Sequence, residues 1–151
     1  MGAFGFLSGP KFASQGGQPN LGLYDQRLAL EWVKNNIDKF GGDANQLTLM
    51  GESAGAGSIV HQLVWDKDAK GPNATFQKAI LQSPAWVPIA GGEEGNKWQD
   101  RTYERFLELL DVKDLAGARG KNELEIVAAS RQLVWEAPHG KYFSFSEVLQ
   151  N

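Results

Sequence analysis

Ser53 is the residue whose surroundings most clearly prepare it for chemistry. It is the centre of Gly51–Glu52–Ser53–Ala54–Gly55, preceded by the apolar run Leu47–Met50 and followed by Ala56–Gly57–Ser58. A short strand running into a serine, then into a helix opened by small residues, is the plan of a nucleophile elbow. Such a turn holds its serine in a strained backbone conformation and lifts the hydroxyl above the sheet. Gly51 and Gly55 are then expected to leave room where strand and helix nearly touch. Ala54 is the candidate oxyanion donor: its backbone N–H opens the helix, whose positive dipole end faces the developing charge. The predicted chemistry is attack by Ser53 on a carbonyl carbon, with an acyl-enzyme as intermediate.

The remaining polar residues offer Ser53 little help. His61 follows it by eight residues on the same expected helix. At a rise of about 1.5 Å per residue it sits roughly 12 Å further along the axis, too far to take the serine proton. His139, in Pro138–His139–Gly140, is isolated from any cluster of carboxylates. Two separated histidines make no metal site, and the absence of cysteine excludes disulfides and thiolate ligands within the chain. No metal and no cofactor are expected. Asp25 falls early in a helical segment, where a carboxylate suits the dipole, so its expected role is structural. Asn73–Ala74–Thr75 is a glycosylation sequon on an expected turn after Gly71–Pro72.

The composition narrows the class. The 151 residues are enough for one domain with a sizeable core; 42% are hydrophobic and 22% charged, as in ordinary globular proteins. The 15 basic and 18 acidic side chains are interspersed and give a net charge of −3, so no basic footprint for nucleic acid is present. No apolar run reaches the length of a membrane span. Compartment and oligomeric state are left open.

Around the elbow, the expected elements alternate. Residues 2–7 are expected as a strand and Ser8–Asn20 as a surface loop. Leu21–Phe40 has helical periodicity, with Tyr24, Leu28 and Trp32 in one row and Ala29, Val33 and Ile37 beside it, a core-facing stripe ended by Gly41–Gly42. Leu47–Met50 is the elbow strand, Ala54–Trp65 the helix behind it, Asp66–Asn73 a polar loop and Lys78–Gln82 the next strand. That order predicts parallel pairing through a crossover helix, an α/β arrangement. Beyond Pro84 two helices are expected, Glu94–Leu110 and Asn122–Val134, with strand or loop from Pro138 to Asn151.

The frame is wider than the pentapeptide. Phe40–Gly41–Gly42 and, four residues on, Leu47–Gly55 resemble the active-serine signature of type-B carboxylesterases, which include cholinesterases and large lipases. Gly2–Leu7, Asn20–Val33 and Phe76–Ser83 resemble the same family. The resemblance implies a partial α/β-hydrolase fold over residues 1–151: central parallel strands with the elbow, followed by a helical insertion. It implies a serine esterase or lipase acting on small-molecule or lipid esters through Ser53. It also places the triad acid and histidine, and the glycine-rich loop completing the oxyanion hole, outside these residues. The chain is accordingly expected to be an interior piece of a longer enzyme, and a non-catalytic fragment or interaction module is the alternative. Glu52 is expected at the border of the active-site gorge, although a structural hydrogen-bonding role near the elbow suits it equally. Trp86 falls near the family's acyl pocket.

Overall fold

The computed structural model describes residues 2–66, 74–85 and 92–136. The elements are α1 (Ala3–Phe6), α2 (Pro10–Ser14), α3 (Leu21–Asn36) continued by a 3-10 turn (Ile37–Phe40), β1 (Thr48–Glu52), α4 (Ala54–Trp65), β2 (Lys78–Gln82), α5 (Gly92–Leu109), α6 (Leu115–Arg119) and α7 (Glu123–Glu136). They gather into two compact units, Leu23–Val87 and Met1–Gly22 with Pro88–Asn151.

The first unit carries the sheet. β1 and β2 pair in parallel, with Thr48 opposite Lys78 and Glu52 opposite Gln82. Parallel neighbours need a crossover, and α4 provides it. Side chains alternate along β1, so Leu49 and Gly51 are half-buried while Thr48, Met50 and Glu52 are exposed. Ala56, Ile59 and Gln62 of α4 are buried, as are Leu23 and Phe76, and Gln62 Nε2 donates to the Leu23 carbonyl at 3.0 Å. Arg27 pairs with Asp66 just beyond α4, lies over the Trp65 ring, and holds Glu31 at 3.0 Å. Asp66 also accepts the Thr75 N–H at 2.9 Å, so one carboxylate ties the end of α4 to the approach of β2. Burial pushes the Asp66 carboxyl up, but hydrogen bonds from Arg27 and Thr75 outweigh it and hold the group below the ordinary carboxylate range.

The second unit is helical. Tyr103, Phe106, Leu107 and Leu110 from α5 and its end meet Leu115 and Ala118 of α6 and Ala129 and Leu133 of α7, with Leu7 and Phe12 in the same core. Phe12 sets its ring edge-on to Tyr103, centroids 5.5 Å apart. The Tyr103 hydroxyl donates to Gln15 Oε1 at 2.8 Å, and the same oxygen accepts the Leu115 N–H. Arg105 forks onto Glu136 with two bonds of 3.0 and 3.1 Å, linking α5 to α7.

Four expectations need correction. Residues 2–7 are not a strand: the Gly2 carbonyl accepts from Gly5 and Phe6 and starts α1, with Ala3 and Gly5 packed inward. Six residues are too few to set a period against tertiary packing. The loop expected over Ser8–Asn20 contains α2, begun by Pro10 at its first position and anchored by buried Phe12. The short α6, opened by the Asp114 side chain accepting from the Gly117 N–H, was not expected at all. The stripe on α3 exists, but Leu28 and Trp32 are 67% and 57% exposed. Trp32 leans on Phe40 instead, ring centroids 6.3 Å apart. Periodicity shows which face is apolar, not whether anything covers it among the described residues.

Candidate active site

The elbow is built by backbone bonds more than by side chains. Ser53 lies between β1 and α4 with φ 52° and ψ −117°, a conformation that costs a non-glycine residue about 1–3 kcal/mol. Three bonds hold it there. The Ser53 N–H donates to the Gln82 carbonyl at 3.0 Å, and its own carbonyl accepts from Gly57 at 3.0 Å and Ala85 at 2.9 Å. Both neighbouring peptide planes are therefore fixed by groups that do not depend on the serine side chain. That side chain makes no capping bond to α4, and the residue is exposed.

Close packing explains two glycines, Gly51 and Gly57. A Cβ on Gly51 would stand 2.6 Å from the Gly55 carbonyl carbon and 2.7 Å from its oxygen, so strand and helix touch through backbone. Gly55 itself is different: a Cβ there meets nothing within 4 Å among the described residues. The expectation that both glycines make room is corrected to Gly51 alone. The second tight position is Gly57, where a Cβ would fall 2.3 Å from the Ala85 carbonyl oxygen. Its partner comes from a segment distant in sequence, beyond β2.

Ala54 is the first residue of α4, and the first intrahelical bond runs from Gly57 to Ser53. The N–H groups of Ala54, Gly55 and Ala56 precede that bond and have no intrahelical acceptor. Together with the helix dipole they form an electropositive tip beside Ser53. Glu52 ends β1, exposed, opposite Gln82. Asp25 is exposed on α3, and His61 is half-buried on α4. Trp86, His139 and Asn73 lie outside the described residues. Among the described residues no three His, Asp or Glu side chains gather as a metal site. No described helix is long and apolar enough to cross a membrane.

The sequence model of the carboxylesterase family matches residues 1–151. The chain belongs to the carboxylesterase family. Carboxylesterase patB of Penicillium expansum is 47% identical over 140 residues, covering 93% of this chain and 24% of that protein. Lipase 4 of Diutina rugosa is 47% identical over 88 residues, 57% of this chain and 16% of the lipase. Among solved structures, a thermophilic pNB esterase superposes with a TM-score of 0.78 at 31% identity, covering 99% of this chain and 30% of that one. The chain thus spans about a quarter of the length of the carboxylesterase it matches. Its fold is a portion of the α/β-hydrolase fold, with parallel strands, elbow and following helices in the expected order.

Proposed function

We propose that this chain is the nucleophile-bearing part of a carboxylic ester hydrolase in which Ser53 forms the acyl-enzyme. The observation that carries this reading is the exposed Ser53, held at φ 52° between a parallel strand and a helix whose first N–H groups are unclaimed within the helix. Its hydroxyl oxygen attacks the ester carbonyl while a histidine takes the proton. The carbonyl oxygen, now negative, is met by the Ala54 N–H and by further donors from the rest of the polypeptide. The tetrahedral intermediate collapses and expels the alcohol, and water then releases the acid. Gly51 lets the elbow close; Glu52 borders the site. Trp86 contributes to the acyl pocket. The substrates are small-molecule or lipid esters, as the names of the carboxylesterase and lipase relatives suggest.

The test is hydrolysis of p-nitrophenyl butyrate by the chain and by the longest polypeptide that contains it, each with Ser53→Ala. In the longer polypeptide the substitution is expected to remove activity by a factor on the order of 10⁶ without unfolding. Activity that survives in that variant sinks the assignment. Background rates in the 151-residue chain and its variant alike would mark the isolated chain as a non-catalytic piece carrying an unpowered serine.

A further inference from the structure

The segment that follows β2 touches Ser53 twice. The Ser53 N–H donates to the Gln82 carbonyl at 3.0 Å, one residue past the Glu52–Gln82 pair that ends the parallel ladder. The chain then turns through Ser83 at φ 45°, a left-handed conformation that non-glycine residues seldom adopt. Pro84 fixes its own φ near about −65° and has no N–H to offer. The next donor is Ala85, whose N–H returns to the Ser53 carbonyl at 2.9 Å. That carbonyl also accepts from Gly57 at 3.0 Å, but the Gly57 bond is internal to the start of α4. Ala85 holds the same oxygen from outside the helix.

The Ser53 carbonyl and the Ala54 N–H are the two ends of one planar trans peptide unit, and they point in opposite directions. A group that holds the carbonyl therefore aims the N–H, and a hydrogen bond accepted at the oxygen polarises the amide into a stronger donor. We propose that Ala85 is a positioning residue for acyl transfer: its N–H, presented by the Ser83–Pro84 turn, orients the Ala54 N–H toward the ester oxygen as that oxygen becomes negative. The proposal rests on the acyl-transfer reading. Acylation and deacylation each pass through an oxyanion, so loss of the Ala85 bond slows both alike; kcat falls and KM stays.

A backbone ester at position 85, with lactic acid in place of Ala85, deletes this N–H and keeps the side chain. It is made in the longest polypeptide that contains the chain and assayed with p-nitrophenyl butyrate beside Ser53→Ala. kcat is expected to fall about tenfold with KM unchanged, less than when an oxyanion donor is removed outright. A trifluoromethyl ketone, to which Ser53 adds to give a bound oxyanion, loses affinity by the same factor. Ala85→Ser, the conservative change that keeps the N–H at an exposed position, is expected to rescue both readouts. Pro84→Gly keeps the donor but loosens its presentation, and lowers kcat about threefold at unchanged KM; it decides the matter where the ester variant does not fold. Parent kcat and ketone affinity in the ester variant overturn the proposal, as do a loss carried by KM and a failure of Ala85→Ser to rescue. In those cases the acyl-transfer reading stands as long as Ser53→Ala abolishes turnover. Turnover that survives in Ser53→Ala overturns both.

Discussion

The elbow unit and the helical unit reach order by different means. Around Ser53, backbone meets backbone: Gly51 abuts the Gly55 carbonyl, Gly57 abuts the Ala85 carbonyl, and three main-chain bonds fix the serine. In the helical unit the order comes from side chains, with Tyr103 1% and Leu133 0% exposed at the centre of one contiguous cluster. The first arrangement positions one atom and leaves apolar surface open, including Met50 at 69% and Ile80 at 49% exposure. The second is held by its buried side chains, although it too leaves Leu124 and Trp135 exposed and carries Asn20 and Asp111 at positive φ. A site that must hold an unfavourable conformation relies on groups that cannot rotate away, whereas a core relies on volume.

Leu133→Ala is the strongest way to break the contrast. It removes a fully buried side chain from the α5–α6–α7 core and is expected to cost about 2–5 kcal/mol, read as a lower urea midpoint. Gly51→Ala is the corresponding insult to the elbow. Its Cβ meets backbone atoms at 2.6–2.8 Å, so strand and helix must separate, at about 1–3 kcal/mol. Gly55→Ala, in the same pentapeptide, adds a Cβ into open space within a helix and is expected to stabilise by about 0.5–1 kcal/mol. Equal losses from Gly51→Ala and Gly55→Ala would show that the elbow is not held by close approach.

Acid sharpens the comparison from another side. The Asp66 carboxyl is held below its ordinary range in the folded state, whereas the unfolded chain titrates near ~4. The unfolded state therefore binds protons first as pH falls. The stability that Asp66 contributes is fully present above about pH 5 and is lost progressively below ~4, through its lower folded value. Urea midpoints at pH 6 and pH 3.5 should converge in Asp66→Asn relative to the parent chain. The variant itself starts lower at pH 6, by about 1–3 kcal/mol, because Arg27 and the Thr75 N–H lose a charged acceptor. An unaltered acid response in Asp66→Asn would remove this carboxylate from the account.

Much of the elbow was legible because its constraints are local. Strand, serine, small residues and helix follow one another within the run from Leu47 to Trp65, and α4 and β2 have the bounds that their patterns imply. At Gly57 the small residues opening α4 signal a close approach, but not its partner, since the limit is set by Ala85 beyond β2. Gly55 has open space around its would-be Cβ among the described residues, so a glycine in a signature need not be there for space. In the helical unit, long periods placed α5 and α7 to within two residues, while α1, α2 and α6 span four or five residues each and are dictated by what they pack against. The covering of Leu28 and Trp32 was inferred from a stripe that only reports apolar character. The parts assigned to Trp86, the oxyanion donors beyond Ala54 and the proton acceptor of Ser53 rest on resemblance, and their tests are functional.

A comparably small expected effect bears most directly on the elbow. Glycine accepts φ 52° and ψ −117° without the penalty that a Cβ imposes, so Ser53→Gly relieves strain that the parent chain carries. The main-chain bonds to Gln82, Gly57 and Ala85 use only the backbone and persist in the variant. A glycine also gains freedom in the unfolded chain, which offsets part of the relief. The balance is expected to be a net stabilisation of about 0.5–1 kcal/mol, seen as a higher urea midpoint, with the nucleophile gone. Ser53→Ala keeps the Cβ and hence the strain, so it should leave the midpoint near that of the parent chain. A midpoint in Ser53→Gly at or below that of Ser53→Ala would mean that the elbow stores no strain, and that the serine's backbone is simply what the turn prefers.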